Sequence, residues 1–142
     1  MAFYLIDVLR KLLYLTVVIM KKSKIWNWLP AVLTMAVIFW FSSQPADNLP
    51  IFGWADALVK KSGHALGYAI LTYWYWYALG MDKRKRWLAW LFAILYALTD
   101  EFHQSFVAGR HPSIWDVLIF DNLGILLSLW LANKYIKQKR PA

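Results

Sequence analysis

The sequence has no cysteine, which excludes disulfide bonds, thiolate zinc sites and thiol nucleophiles. Acidic residues are scarce, with eight Asp and Glu against sixteen Lys and Arg, and there are three histidines. Any acid–base or ligand chemistry therefore depends on a small set of His, Asp, Glu and Ser side chains. The basic residues lie in short clusters between apolar runs, whereas nucleic-acid-binding proteins carry theirs as a patch on a polar surface. We therefore expect no nucleic-acid partner.

Apolar residues, in contrast, are abundant. They make up 61% of the 142 residues, well above the roughly 45–50% of a typical soluble domain. A small globule has too much surface relative to its volume to bury so many apolar side chains. The composition therefore disfavours a soluble enzyme and predicts that lipid covers much of the surface.

Four apolar stretches have the length of membrane-spanning helices and lack the alternation of strands. They are residues 25–41, 63–80, 87–104 and 113–132. The third is apolar as far as Thr99 and then becomes polar, and the fourth is interrupted by Asp116, Asp121 and Asn122. The predicted fold class is all-α, a membrane bundle of four transmembrane helices with an extra N-terminal apolar segment.

The distribution of positive charge predicts the orientation of this bundle. Thirteen of the sixteen Lys and Arg residues flank the same side, and only Lys60, Lys61 and Arg110 lie on the other. Because cytoplasmic loops of membrane proteins are enriched in Lys and Arg, both termini should be cytoplasmic. The chain is therefore predicted to cross a membrane several times.

The chain divides into three predicted parts. Residues 1–24 form an N-terminal interfacial segment, because Asp7, Arg10 and Lys11 would each cost roughly 2.5–3.5 kcal/mol at the centre of a bilayer. The alternative is that Met20 is the natural start, since it precedes a basic run and an apolar span. The residues before it would then lie upstream of that start. Residues 25–133 form the four-helix membrane domain, and residues 134–142 form a basic cytoplasmic tail.

Polar side chains collect where the predicted helices end on the outer side of the membrane. Ionisable groups at such positions are candidates for function because they are costly in lipid. We predict a pocket formed by Ser43, Gln44, Lys61, His64, Tyr68, Asp100, Glu101, His103, Gln104, Arg110, Asp116 and Asp121. The favoured ion pair is Glu101 with Arg110, since a carboxylate in low dielectric needs a nearby cation. The alternative is that these groups only hold the helices together through hydrogen bonds.

Several of these residues stand in short motifs that resemble the VanZ-like family of small membrane proteins, named for an accessory factor in glycopeptide resistance. The matching pieces are Phe41-Ser42-Ser43-Gln44-Pro45, Lys61 with His64 and Tyr68, Asp100-Glu101-Phe102-His103-Gln104, Ala108-Gly109-Arg110, and Asp116 leading to Asp121 and Gly124. The family pattern has Asn or Asp four positions after Asp116, whereas Asp121 stands five positions after it, so we expect Asn122 to share the role of Asp121. The resemblance implies a bacterial cell-membrane protein that influences glycopeptide susceptibility.

Two functions remain open at this point. In the first, the polar pocket binds a lipid headgroup or a phosphate-bearing cell-envelope precursor without catalysis, with Arg110, Lys61 and His64 contacting phosphate. In the second, the protein is a membrane-embedded hydrolase or phosphotransferase that acts on a lipid phosphate, with His64 or His103 as base or nucleophile. The sequence contains no metalloprotease or serine hydrolase motif. We therefore predict membrane lipids as partners, no cofactor and no metal, and leave catalysis open.

Overall fold

The computed structural model of the chain describes residues 24–138, and this part is helical and contains no strand. It has four α-helices, α1 (Leu29–Ser42), α2 (Asp56–Ala78), α3 (Arg86–Gln104) and α4 (Asn122–Gln138). A 3₁₀ turn (Lys24–Trp28) precedes α1, and a π-helical turn (Asp116–Asp121) precedes α4. The prediction of an all-α fold with four helices is therefore confirmed.

The helix ends follow local sequence signals. Pro30 lies in the first turn of α1, where its missing N–H costs nothing. Helix α2 begins at Asp56, seven residues before the predicted start at Gly63, and an ion pair of 2.8 Å between Asp56 and Lys60 stabilises its first turn. It ends before Gly80, which has a φ of +78° that glycine adopts without strain.

Helix α2 is the centre of the bundle and packs against each of the other three helices. Its buried side chains include Tyr68, Leu71 and Trp76. Helix α3 meets this core with a stripe of small residues at a spacing of four, Ala89, Ala93 and Ala97, all fully buried. Small residues at such spacing allow close helix packing in membrane proteins.

Two helical stretches are long and apolar enough to cross a membrane, Lys24–Ser42 and Asp116–Tyr135. In the most apolar 18 residues of each stretch, only 11% and 22% are buried inside the protein, so most of each stretch is not enclosed by the fold. Their exposed faces carry large apolar side chains such as Val32, Leu33, Leu127 and Leu131. These features are consistent with a membrane protein.

The predicted boundaries differ from the structure at one end and lie outside it at the other. Helix α4 continues to Gln138, so the first part of the predicted tail 134–142 is helical. The interfacial segment predicted for residues 1–24, with the alternative start at Met20, lies outside the described residues except for Lys24. The last four residues of the tail also lie outside them.

Gly124 allows the close approach of α4 to α2, which suggests a stability test. A Cβ atom at position 124 would clash with the backbone carbonyl oxygen of Ala65, whereas a Cβ at Gly63 would meet no atom within 4 Å. We expect Gly124→Ala to lower the free energy of unfolding by about 1–3 kcal/mol, the usual cost of overpacking. Thermal unfolding of the detergent-solubilised protein measures this effect.

The matched control is Gly63→Ala, which also replaces a helical glycine by alanine. We expect it to leave the free energy of unfolding unchanged or to raise it by roughly 0.5–1 kcal/mol, because alanine has the higher helix propensity. Equal stability of the two variants would contradict the tight packing of α4 on α2.

Candidate functional site

The polar residues converge at one end of the bundle, where α1 and α3 terminate and the N-terminal half of α2 meets the π-helical turn. We call this region the polar end. Its centre is Asp100, which is 3% exposed. One carboxylate oxygen, Oδ2, accepts hydrogen bonds from Ser42 Oγ (2.7 Å), Tyr68 Oη (3.1 Å) and Gln104 Nε2 (3.0 Å). Asp100 therefore connects α1, α2 and α3 through a single atom.

A second contact between α1 and α3 joins Ser43 and His103, whose Oγ and Nε2 atoms are 3.0 Å apart. Serine and histidine are the residues of a nucleophile and its base. The hydroxyl of Ser43, however, donates its single proton to the carbonyl of Phe39 at 2.7 Å, so it accepts a hydrogen bond from His103. This contact joins the ends of α1 and α3.

Arg110 binds main-chain carbonyls at the end of α1. Its Nε donates to Gln44 O at 3.0 Å, and its Nη2 donates to Phe41 O at 2.8 Å. The last carbonyls of a helix have no partner within the helix, so the guanidinium caps them. Burial lowers the pKa of Arg110 from its ordinary value, while the nearby Asp100 and Glu101 carboxylates oppose that shift.

The predicted ion pair between Glu101 and Arg110 is not formed. Glu101 Oε2 instead accepts a hydrogen bond of 2.7 Å from the backbone N–H of Ser113, which follows Arg110 in the same loop. Within residues 24–138 the carboxylates paired with a basic side chain are Asp56, bound by Lys60, and Asp116, bound by Lys61. The guanidinium is occupied by backbone acceptors that the sequence alone could not reveal.

Lys61 and Asp116 connect α2 to the π-helical turn. Lys61 Nζ lies 2.8 Å from Asp116 Oδ1 and 4.6 Å from the centre of the Phe120 ring. Both side chains of the ion pair remain about one-third exposed, at 38% and 27%. The pair therefore fixes the turn while one face stays accessible.

The π-helical turn explains the unusual spacing of Asp121. A π-turn inserts one extra residue into a helix, and such turns are frequently found at functional sites. Asp121 is 1% exposed although it stands five residues after Asp116. Asn122, which was expected to share this role, instead accepts a hydrogen bond of 2.9 Å from Trp90 Nε1. The buried carboxylate at this position therefore belongs to Asp121.

Neither carboxylate oxygen of Asp121 has a hydrogen-bond partner among the described residues, and Asp100 Oδ1 also lacks one. The His64 ring, on the facing side of α2, takes part in no hydrogen bond within the described part of the chain, and its centre is 6.3 Å from that of the Tyr68 ring. The polar end thus contains acceptors whose hydrogen-bonding capacity is not used by the protein itself.

A cavity of about 430 Å³ opens beside the polar end, between α1 and α2. We call it the lateral cavity. Most of its lining is apolar, including Val37, Ile38, Leu66 and Ile70. The polar groups of its lining are contributed by Ser42, Lys60, His64, Tyr68 and Arg110, and the loop residues Leu49, Pro50 and Phe52 also border it.

The structure brings most of the predicted pocket residues together, with three differences. The Gln44 side chain donates to Trp40 O at 3.0 Å, outside the Asp100 network, so only its backbone carbonyl contributes. Ser42, which the prediction omitted in favour of Ser43, is 2% exposed and bonds to Asp100. Adjacent serines at a helix end differ only in rotation about the helix axis, which depends on tertiary packing. Lys60 was also omitted, although it shares a helix face with His64 and Tyr68.

Comparison with known proteins identifies the family of the chain. The model of the VanZ/LLP1 protein family matches residues 14–136, which include every residue of the predicted pocket. The match begins inside the N-terminal segment that the sequence analysis separated from the membrane domain. No curated protein and no solved structure matches the chain. Because the family model covers most of the sequence, the chain belongs to the VanZ/LLP1 family.

Proposed function

We propose that this protein spans a bacterial cell membrane four times, with the polar end facing outward, and binds a lipid phosphate there. The observation that carries the proposal is the composition of the lateral cavity, in which an apolar groove and the basic groups Lys60, His64 and Arg110 share one lining. An anionic amphiphile needs these two surfaces side by side.

The four-span topology is supported by the positions of charge on the folded chain. Lys83, Arg84 and Lys85 form the 3₁₀ turn between α2 and α3, at the end of the bundle opposite Asp100. The polar end has few Lys and Arg residues. Among the residues that the structure describes, they are Lys60, Lys61 and Arg110. The difference between the two ends is the one expected of a protein whose basic end is cytoplasmic.

The absence of cysteine allows a direct test of this topology, because a single introduced cysteine is the only thiol. We expect Asp47→Cys, in the loop after α1, to react in intact cells with a maleimide that does not cross membranes. Arg84→Cys should react only after the cells are permeabilised. Labelling of Arg84→Cys in intact cells, or protection of Asp47→Cys there, would contradict the proposed orientation.

The apolar part of the lateral cavity suits an acyl or prenyl chain. Its side chains lie on α1 and α2, and Leu66, Ile70 and Val37 remain 63%, 44% and 55% exposed. In a bilayer these side chains already contact lipid tails, so a bound hydrocarbon chain replaces other tails without cost. The polar groups must therefore supply selectivity between lipids.

The polar part suits a phosphate group. Arg110 and Lys60 are cationic, and His64 can donate a hydrogen bond from its ring. Arg110 is the strongest donor, but two backbone carbonyls occupy part of its guanidinium. The remaining N–H groups can bind an oxyanion without breaking the helix cap, because guanidinium has five donors.

Binding is favoured over the alternative, a lipid hydrolase or phosphotransferase in which His103 acts as base, by the hydrogen bonding of the adjacent Ser43 hydroxyl. Ser43 donates to the Phe39 carbonyl, so its proton is directed away from His103. A cell-envelope precursor carries both a lipid tail and phosphate. Binding such a precursor is the route by which we propose that the protein affects glycopeptide susceptibility.

Lipid binding can be measured with phosphatidic acid and phosphatidylcholine that carry identical acyl chains. We expect the purified protein to bind phosphatidic acid more tightly, and Arg110→Ala to weaken that binding by about tenfold, equivalent to roughly 1.4 kcal/mol. Gly63→Leu should weaken binding of both lipids, because position 63 lines the lateral cavity and has free space for a larger side chain. Native mass spectrometry gives the two affinities.

Two controls match these variants. Lys134→Ala removes one positive charge at the opposite end of the bundle, and Ser62→Leu adds apolar bulk on α2 at a residue that does not line the cavity. Both should bind phosphatidic acid as the wild type does. Equal loss in Arg110→Ala and Lys134→Ala would show nonspecific charge attraction, and would contradict the proposal.

A further inference from the structure

Three potential metal ligands from separate parts of the chain meet at the polar end. His64 of α2, Glu101 of α3 and Asp121 of the π-helical turn each have a ligand atom within 4.8 Å of those of the other two. They are separated by 37 and 20 positions in the sequence. This separation explains why the sequence analysis predicted no metal, since recognisable metal motifs place their ligands a few residues apart.

Asp121 supplies an independent indication of a ligand. Its side chain is 1% exposed, it faces His64 and Glu101, and both of its oxygens lack a hydrogen-bond partner in the described chain. A buried carboxylate without compensation costs several kcal/mol, so such a group normally has a cation, a set of donors or a bound proton. Asp121 has no donors from the described residues.

The nearby basic side chains do not compensate Asp121. Lys61 is paired with Asp116 at 2.8 Å, and Arg110 donates to the carbonyls of Gln44 and Phe41. Asp100 and Glu101 add further negative charge, while His64 is the ionisable base that faces the carboxylate. The cluster therefore has more carboxylate acceptors than positive charges that could compensate them.

From this arrangement we propose that His64, Glu101 and Asp121 bind one divalent cation of the zinc or manganese class. An imidazole with two carboxylates suits these ions, which accept mixed nitrogen and oxygen ligands. Ligands bound at about 2.0–2.2 Å lie roughly 3–3.5 Å apart, so the side chains move inward by about 1 Å on binding.

The hydrogen bond from the Ser113 N–H to Glu101 Oε2 supports the site from outside. It orients the carboxylate and leaves the other oxygen of Glu101 outside that bond. Hydrogen bonds to metal ligands commonly fix ligand orientation in this way. Three protein ligands leave at least one coordination position open to water or to another oxygen ligand.

This site does not depend on lipid binding, but it is adjacent to the lateral cavity because His64 belongs to both. A cation with an open coordination position would attract a phosphate group that entered the cavity. Metal binding and lipid binding can be measured separately, so failure of one does not decide the other.

The test uses the full-length protein in detergent, treated with a chelator and then titrated with ZnCl₂ or MnCl₂ by calorimetry. We expect one ion per chain and a rise in the unfolding temperature on binding. Asp121→Asn should weaken metal binding at least tenfold, while the unfolding temperature without metal stays equal to or above that of the wild type, because the amide removes an uncompensated charge. His64→Ala should also weaken binding at least tenfold.

The matched controls are Asp47→Asn and His111→Ala, which change exposed residues outside the cluster. Both should bind one ion with wild-type affinity. X-ray absorption of the zinc-loaded protein should show one imidazole ligand that is lost in His64→Ala.

The proposal is overturned if the wild type binds no stoichiometric metal, which would leave Asp121 as a protonated acid. It is also overturned if Asp121→Asn retains wild-type affinity, or if His111→Ala removes the imidazole signal. Each of these results would assign the metal, if any, to other residues.

Discussion

The polar end depends on one carboxylate oxygen, Asp100 Oδ2, which accepts hydrogen bonds from α1, from α2 and from its own helix α3. In an apolar bundle a buried acceptor is costly unless donors surround it, so the three helices must meet in one register around Asp100. Ser42 comes from the last turn of α1 and Tyr68 from the middle of α2. This single constraint fixes which side chains of α1 and α2 face each other.

The lateral cavity follows from that register. The Asp100 network joins α1 and α2 at one level, and the two helices leave an apolar groove that continues away from it, past Gly67 and Ile70. The same geometry places His64 between the groove and the acidic cluster. One imidazole is therefore shared by the surface proposed for a lipid phosphate and by the residues proposed for a cation.

The sequence was sufficient for the number, order and type of helices, because each requires only a mainly apolar run of helical length and a breaker. It also placed Asp100, Gln104 and Tyr68 among the interacting residues. Three details depended on tertiary structure. The choice between Ser42 and Ser43 depends on helix rotation, the partners of Arg110 are backbone carbonyls of a distant segment, and the burial of Asp121 depends on a π-turn. Periodicity at 3.6 residues predicts none of these.

The central claim is that a phosphate-bearing lipid binds in the lateral cavity. Its hydrocarbon chain lies along the apolar groove and its phosphate lies at the polar end. Photocrosslinking with a phosphatidic acid that carries a diazirine in one acyl chain, followed by peptide mass spectrometry, tests it most directly. The account predicts crosslinks concentrated on Val37, Leu66 and Ile70, which line the cavity. Crosslinks distributed equally over the exposed apolar residues of α4, such as Leu123, Leu127 and Leu131, would contradict it.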